Sequence, residues 1–227
     1  MSLNLSFPYI KNYIPLTTPY RRRPGMSLTP QTITIHSTGN PNSTAMNERD
    51  WLVSPNNHRV ASWHIAVDDR YAVEAIPLNE VAYHAGDATG NRTSIGIEIC
   101  ESGNRHKTLQ NAIELTAALL KQRRWGVNNL RRHYDWSGKY CPRILMVNNW
   151  TGWKEFLDGV QKVLTPPPPK PIPRIQERVN LVFRGQKVTE SDGYLIEGST
   201  YVPLRFLAEK LGARVGWDGN TRTAYVD

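Results

Sequence analysis

The stretch "TPPPPKPIP", Thr165 to Pro173, constrains this chain more than any other. Proline fixes its own φ and has no amide hydrogen, so the stretch can form neither a helix nor a central strand. It is expected to be a stiff polyproline spacer. It lies between two foldable segments, so it reads as a linker rather than as a ligand for a proline-binding domain. The expected organisation is a larger domain at 1–164, a proline-rich linker at 165–173 and a small domain at 174–227.

The larger segment alternates strands with helices. In "QTITIH", Ile33 and Ile35 face one way and Thr32, Thr34 and His36 the other. "SWHIAVDD" sets Trp63, Ile65 and Val67 against His64 and Ala66, and "SIGIEIC" sets Ile95, Ile97 and Ile99 against Gly96, Glu98 and Cys100. One helix is expected to start near Thr44. A second spans Thr108 to about Arg124, with Leu109, Ala112, Ile113, Thr116, Ala117 and Leu120 on one face. A third runs from about Thr151 to Val163. This pattern gives an α/β layer fold. His36, His64 and Glu98 each sit opposite a row of large apolar side chains. Glu98, on so apolar a strand, is a candidate buried carboxylate with a raised pKa, suited to general-base work.

Charge is unevenly spread. The net charge is +8. Residues 1–173 hold 20 Lys and Arg against 13 Asp and Glu, or +7, whereas residues 174–227 hold 8 against 7, or +1. A basic excess suits a polyanionic partner, either nucleic acid or an anionic bacterial wall. Its densest points, "RRR" at 21–23 and "RRHYD" at 131–135, are not interleaved like an RNA-binding module. No apolar run approaches a membrane span, so no stable membrane insertion is expected. The start, "MSLNLSFPYIKNYIPL", lacks the basic, apolar and small-residue order of a secretory signal. Two cysteines, Cys100 and Cys141, are too few for a disulfide scaffold.

The chemistry concentrates in "RRHYDWSGKYCPR", Arg131 to Arg143. His133 and Cys141 flank a Ser-Gly turn, with Lys139 just before the cysteine. Two soft-metal ligand types on a tight loop suggest a zinc site. A catalytic zinc needs a third ligand, and His36 at the end of its strand is a good one. Six histidines are present (His36, His58, His64, His84, His106 and His133), and spacing alone does not choose among them.

From about Arg22 to Ile144 the chain resembles the zinc-dependent N-acetylmuramoyl-L-alanine amidases, a family that includes phage endolysins, bacterial autolysins and peptidoglycan-recognition proteins. The matching segments are "TITIHSTGN", "ASWHIAVDD", "YHAGD", "GNRTSIGIEIC" and "HYDWSGKYCPR", in the family's order and spacing. The resemblance implies a central mixed β-sheet flanked by helices. It implies one zinc ion held by His36, His133 and Cys141, with Glu98 as the catalytic carboxylate and Lys139 as the second catalytic group. His64 and His84 would lie along the cleft as substrate contacts. Many members have Asp at the third ligand position; Cys141 matches the phage and Bacillus-type branch. Cys100 has no implied role and reads as a buried, apolar-like thiol.

The tail, with its core "TYVPLRFLAEKLGA", resembles the small α+β module at the N-terminus of copper amine oxidases and on many Firmicute wall proteins. Pro203 opens a helix whose apolar face is Leu204, Leu207, Ala208 and Leu211, and Gly212 ends it. No metal-ligand cluster occurs there, so copper is not carried over; wall attachment or pairing with another copy is the expected role. The whole reads as an amidase acting on bacterial peptidoglycan, made in the cytoplasm and reaching the wall at phage-type lysis. The alternatives are a non-catalytic peptidoglycan-binding protein on the same fold, and a nucleic-acid-binding protein, which would explain the charge but not the ligand set.

Overall fold

The structure, a computed structural model, describes residues 3–165, 177–189 and 191–227. The chain divides into two compact units, Met1–Pro167 and Pro168–Asp227. Apart from Thr165, the linker expected at 165–173 lies outside the described residues.

In the first unit, β1 (Tyr9–Lys11), β2 (Thr32–Ser37), β3 (Ile65–Val67), β4 (Ala72–Glu74), β5 (Ser94–Ile99) and β6 (Leu130–Arg132) form one sheet in the order β1-β4-β3-β5-β2-β6. The β3–β4 pair is antiparallel and every other pair is parallel, so the sheet is mixed. The helices are α1 (Ala45–Val53), α2 (Ala88–Thr93), α3 (Arg105–Arg123), α4 (Tyr134–Ser137) and α5 (Val147–Leu164).

The alternation in β2 and β5 divides the core in two. Ile33, Ile35, Ile95, Ile97 and Ile99 are fully buried in one cluster with Leu115, Leu119 and Leu120 of α3 and Phe156 and Val160 of α5. Each such side chain contributes roughly 1.5–3 kcal/mol over its exposed state. The other face carries a second cluster that includes Ala45 and Leu52 of α1, together with Trp63, Ala66, Ile76 and Cys100. Parallel strands covered on both faces leave no solvated side, so Thr34 and His36 are as buried as the isoleucines.

Two local expectations shift, at α3 and at Trp63. Helix α3 starts at Arg105, because the Asn104 side chain accepts the Lys107 amide as a cap. Residues 105–107 are exposed and gave no apolar periodicity to read. Strand β3 begins only at Ile65, so Trp63 escapes the alternation; it packs with Ala66 and Cys100, on the side opposite Ile65 and Val67. Helix α1 begins as expected, Thr44 and Asn47 forming a reciprocal cap. In α5, Asn148, Asn149 and Trp150 have left-handed φ of 46°, 56° and 71°, so regular helix starts near Thr151.

The basic runs are mostly consumed structurally. Arg22 is fully buried and donates to the carbonyls of Leu52, Asn57 and Arg59. Arg23 makes two 2.7 Å bonds to Glu80. Arg132 pairs with Asp135 and lies 4.4 Å from the Trp150 ring centroid. Arg21 is exposed, and Arg131 bonds the Asn128 and Leu130 carbonyls.

The second unit contains β7 (Glu177–Val179), β8 (Val182–Phe183), β9 (Gln186–Lys187), β10 (Gly193–Ile196), β11 (Ser199–Tyr201), α6 (Leu204–Lys210), β12 (Val215–Asp218) and β13 (Thr223–Val226). Strands β11-β10-β7 make an antiparallel sheet, and β8–β9 and β12–β13 are hairpins. Pro203 precedes α6, and Gly212 follows it at φ +87°, where glycine is favoured. Of the expected apolar face only Ala208 is buried; Leu204, Leu207 and Leu211 are 49%, 39% and 63% exposed.

Candidate active site

Register brings the first pair together. His36 and Glu98 are direct neighbours across β2 and β5, and His36 Nδ1 lies 3.9 Å from Glu98 Oε1. On the other side of β2, β6 ends at Arg132 and its next residue, His133, donates its amide to the Ile35 carbonyl. The chain then turns through α4, reversing at Gly138 (φ 70°), and the Tyr134 amide bonds the Cys141 carbonyl. That loop returns the Cys141 thiol to 3.8 Å from His36 Nδ1. His36, His133 and Cys141 thus offer ligand atoms within 4.8 Å of one another.

The hydrogen bonds fix the tautomers. His84 Nε2 lies 3.0 Å from the Ser94 carbonyl, which can only accept, so that nitrogen carries the proton. His84 Nδ1 is then an acceptor, and His36 Nε2, 3.1 Å away, must be its donor. This leaves the His36 Nδ1 lone pair aimed at His133 Nδ1, 3.0 Å distant. The Ala85 backbone beside His133 partly offsets the fall that burial imposes on its pKa. Two imidazole nitrogens thus converge beside a thiol. That donor set suits a cation of borderline softness. Gly96 makes this possible, since a Cβ there would lie 2.6 Å from the His84 ring.

Burial keeps these groups neutral. It depresses His36 strongly, assisted by His84, His133 and Lys139. It takes His84 down to about 3 and His133 to about 4, while pushing the Cys141 thiol up to about 12. Glu98 is pushed up to about 8, by burial first and then by the charge of Glu48, against the opposing charge of Lys139. Its Oε2 is buried with no hydrogen-bond partner. The five residues border one cleft of about 610 Å³. Lys139 is exposed at its edge. The cleft therefore sets a carboxyl of raised pKa, Glu98, beside the three-residue cluster, with the Lys139 side chain at its edge.

The remaining expectations divide. His84 lines the cleft, but both its ring nitrogens are spent on His36 and Ser94. His64 does not reach the cleft. It is fully buried; Nε2 bonds the Glu80 carbonyl at 2.8 Å and Nδ1 accepts the Gly96 amide at 2.9 Å. The substrate contact expected of His64 finds no opening to the cleft here; the ring joins the Glu80 carbonyl to the Gly96 amide of β5. Sequence reasoning missed Glu48, which lines the cleft while only 7% exposed and whose pKa burial raises. Its signal was present, because Glu48 shares a helical face with Ala45 and Leu52. Cys100 lies fully buried in the cluster beneath the cleft, its thiol pushed far up by burial.

Comparison with known proteins identifies the family and the fold. Residues 26–144 match the N-acetylmuramoyl-L-alanine amidase family, and residues 174–226 match the copper amine oxidase N-terminal domain. N-acetylmuramoyl-L-alanine amidase CwlA of Bacillus subtilis is 45% identical over 140 residues, covering 58% of this chain and 50% of that protein. XlyB of the same organism is 41% identical over 162 residues, covering 68% and 50%. The structure of a mutant endolysin from Bacillus subtilis superposes with a TM-score of 0.62 at 37% identity, covering 68% of this chain and 99% of that one. The chain spans about half the length of the curated relatives it matches.

Proposed function

The chain belongs to the N-acetylmuramoyl-L-alanine amidase family, and from that membership we propose that it hydrolyses the amide between the lactyl carboxyl of N-acetylmuramic acid and L-alanine in bacterial peptidoglycan. The observation that carries this reading is the convergence of His36 Nδ1, His133 Nδ1 and Cys141 Sγ beside a buried carboxylate with an unpartnered oxygen. These three residues would hold one zinc ion. When bound, zinc supplies a Lewis acid for the scissile carbonyl and makes water easier to deprotonate.

The other steps belong to the chain. Glu98, poised near neutrality, takes a proton from the attacking water and returns it to the departing amine. The carbon–nitrogen bond breaks as a carbon–oxygen bond forms, leaving a lactyl carboxylate on the glycan and a free amine on L-alanine. Lys139 meets the negative charge that develops on the carbonyl oxygen. His84 holds His36 in the tautomer that leaves Nδ1 free, a positioning role. The endolysin relatives support action on the wall, and no helix among the described residues is long and apolar enough to cross a membrane.

Mass spectrometry of fragments from digested, purified walls tests the assignment. New L-alanine amino termini and free lactyl carboxyls are expected. New reducing sugar ends, or new amines within the stem peptide, would sink it. Binding without any released fragment would instead favour the non-catalytic reading.

A further inference from the structure

A second, larger cavity of about 1210 Å³ shares no residue with the catalytic cleft. It lies on the opposite face of the sheet. Glu74 at its floor has the same strand parity as Ala72, which packs in the α3-side cluster, whereas Glu98 faces the other way. Its walls are β1, β4 and the end of α3 with the residues that follow. Tyr9, Lys11 and Tyr13 precede the segment that matches the amidase family, whereas Glu74, Arg123 and Trp125 lie inside it.

Its chemistry is specific. Glu74 is 3% exposed, and its two oxygens accept from Tyr9 Oη at 2.7 Å and Tyr13 Oη at 3.1 Å. The carboxylate is thus satisfied and fixes two phenol rings in the cavity wall. Trp125 adds a third ring, with the Arg123 guanidinium 5.7 Å from its centroid. Arg123 is half-buried, yet its guanidinium bonds neutral acceptors, the Leu119 carbonyl at 3.3 Å and Gln122 Oε1 at 3.2 Å. No carboxylate among the described residues forms an ion pair with Arg123, and none does with the exposed Lys11 at the rim. Arg123 feels the attraction of Glu74 at longer range but has no carboxylate at ion-pair distance, so together with Lys11 at the rim it leaves this wall of the cavity cationic and favourable to an anionic group. Aromatic faces offer platforms for the apolar faces of sugar rings. The space exceeds what a small ligand fills, so it suits a stretch of polymer.

We infer that this groove is a second saccharide site, which takes an anionic glycan segment with its rings on Trp125, Tyr9 and Tyr13 and its negative groups toward Arg123 and Lys11. Two sources share that chemistry. One is peptide-free peptidoglycan glycan, in which each cleavage has left a lactyl carboxylate beside a sugar ring. The other is a phosphate-bearing wall polymer. Naming the first rests on the amidase reading; the groove itself does not. Occupied by glycan already cut, it would keep the enzyme on the strand it is stripping without touching the bond-breaking residues.

The full chain would be titrated with peptide-free glycan chains, with isolated phosphate-bearing wall polymer and with neutral chitin oligosaccharides, while hydrogen exchange is followed. Protection at residues 9–13 and 119–125 is expected with an anionic polymer. Trp125→Ala and Arg123→Gln should each weaken that binding roughly tenfold, and Lys11→Gln, at an exposed site that does not bear on folding, roughly threefold. Turnover of small soluble muropeptides should stay within about twofold of the parent in all three. Response to the phosphate polymer alone would keep the site and assign its anion to phosphate. Protection confined to the catalytic cleft or to residues 177–227 would overturn the proposal. So would unchanged affinity in all three variants, or equal binding of the neutral oligosaccharide. Glycan binding with no muropeptide hydrolysis would remove the amidase reading and leave the groove standing.

Discussion

The two units of this chain treat polar groups in opposite ways. The first buries His36, His64, His84, His133, Glu48 and Glu74 between or beside two apolar clusters. The second, among its described residues, buries a single hydrophobic side chain, Ala208, and leaves Leu211 and Trp217 more than 60% exposed. Titration follows burial. In the first unit, desolvation moves histidines, carboxylates and thiols far from their ordinary values. In the second, the shift resolved among the described residues is Asp218, lowered by hydrogen bonds from Thr221 and Asn220 at a surface turn. A site that raises a carboxylate's pKa towards neutrality needs a core thick enough to exclude water. A unit this small has little such core to offer.

The comparison breaks first at the cluster. Cys141→Ala should lose most bound zinc and nearly all activity, with metal content read by mass spectrometry independently of turnover. About one zinc per parent chain is expected, and stripping it with a chelator should mimic the substitution. Full occupancy in the variant would place the third ligand elsewhere. Next come the two residues proposed to act on the bond without holding the metal. Glu98→Gln should retain zinc and fold while lowering turnover about 10²–10⁴-fold. Lys139→Ala should lose roughly 10²–10³-fold, the size of a missing oxyanion donor. Normal turnover of polymeric wall by either variant would withdraw that residue's role.

A smaller effect sharpens the comparison through pH. His64 has a folded-state pKa of about 4, below its ordinary 6.5, so the unfolded chain takes up the proton first. Its contribution is fully present above pH 6.5 and is lost as pH falls towards 4, amounting to at most about 3 kcal/mol. Glu98 acts in the reverse sense: its raised value favours the fold below 4.5 and that advantage fades as pH rises towards 8. Residues 174–227 contain no histidine. In the metal-free full chain, hydrogen-exchange protection of the first unit should therefore fall between about pH 6.5 and 4 well before that of the second. Parallel losses in both units would show that acid acts through something other than these buried rings.

Much of this was legible in the residues, and the failures have physical causes. Alternation in "TITIH" and "SIGIEI" placed His36 and Glu98 on one face, because strand parity is rigid and register made them neighbours. The same rule misplaced Trp63, since alternation holds only inside a strand and β3 begins two residues later. The segment containing Lys139 and Cys141 was visible as chemistry but not as geometry; its return to His36 depends on a loop that no periodicity describes. The arginine run looked like a surface for polyanions, yet Arg22 is wholly buried against three carbonyls, a use of charge that composition does not reveal. In α6 the spacing of leucines was read properly, but spacing says which residues share a face and not what covers it.

The smallest effect on chemistry should come from removing the second unit altogether. The proposed catalytic groups, both clusters and α5 all lie at or before Leu164. A chain ending at Thr165 should stay folded and cleave small soluble muropeptides at a nearly unchanged rate. Tethering raises local concentration at an insoluble substrate without altering the bond-breaking step. On intact walls the truncated enzyme should therefore bind more weakly and lyse more slowly, most visibly at low enzyme concentration. Salt separates the two contributions. Residues 174–227 carry a net charge of +1 against +7 for residues 1–173, so the tail's share of wall binding should persist as screening weakens the rest. If the tail instead pairs copies of the chain, sedimentation should show the solution mass of the assembly falling by about half on truncation, beyond the loss of the tail itself. Equal wall binding with and without the tail, and an unchanged monomer state, would leave neither role standing and confine the function of this chain to its first unit.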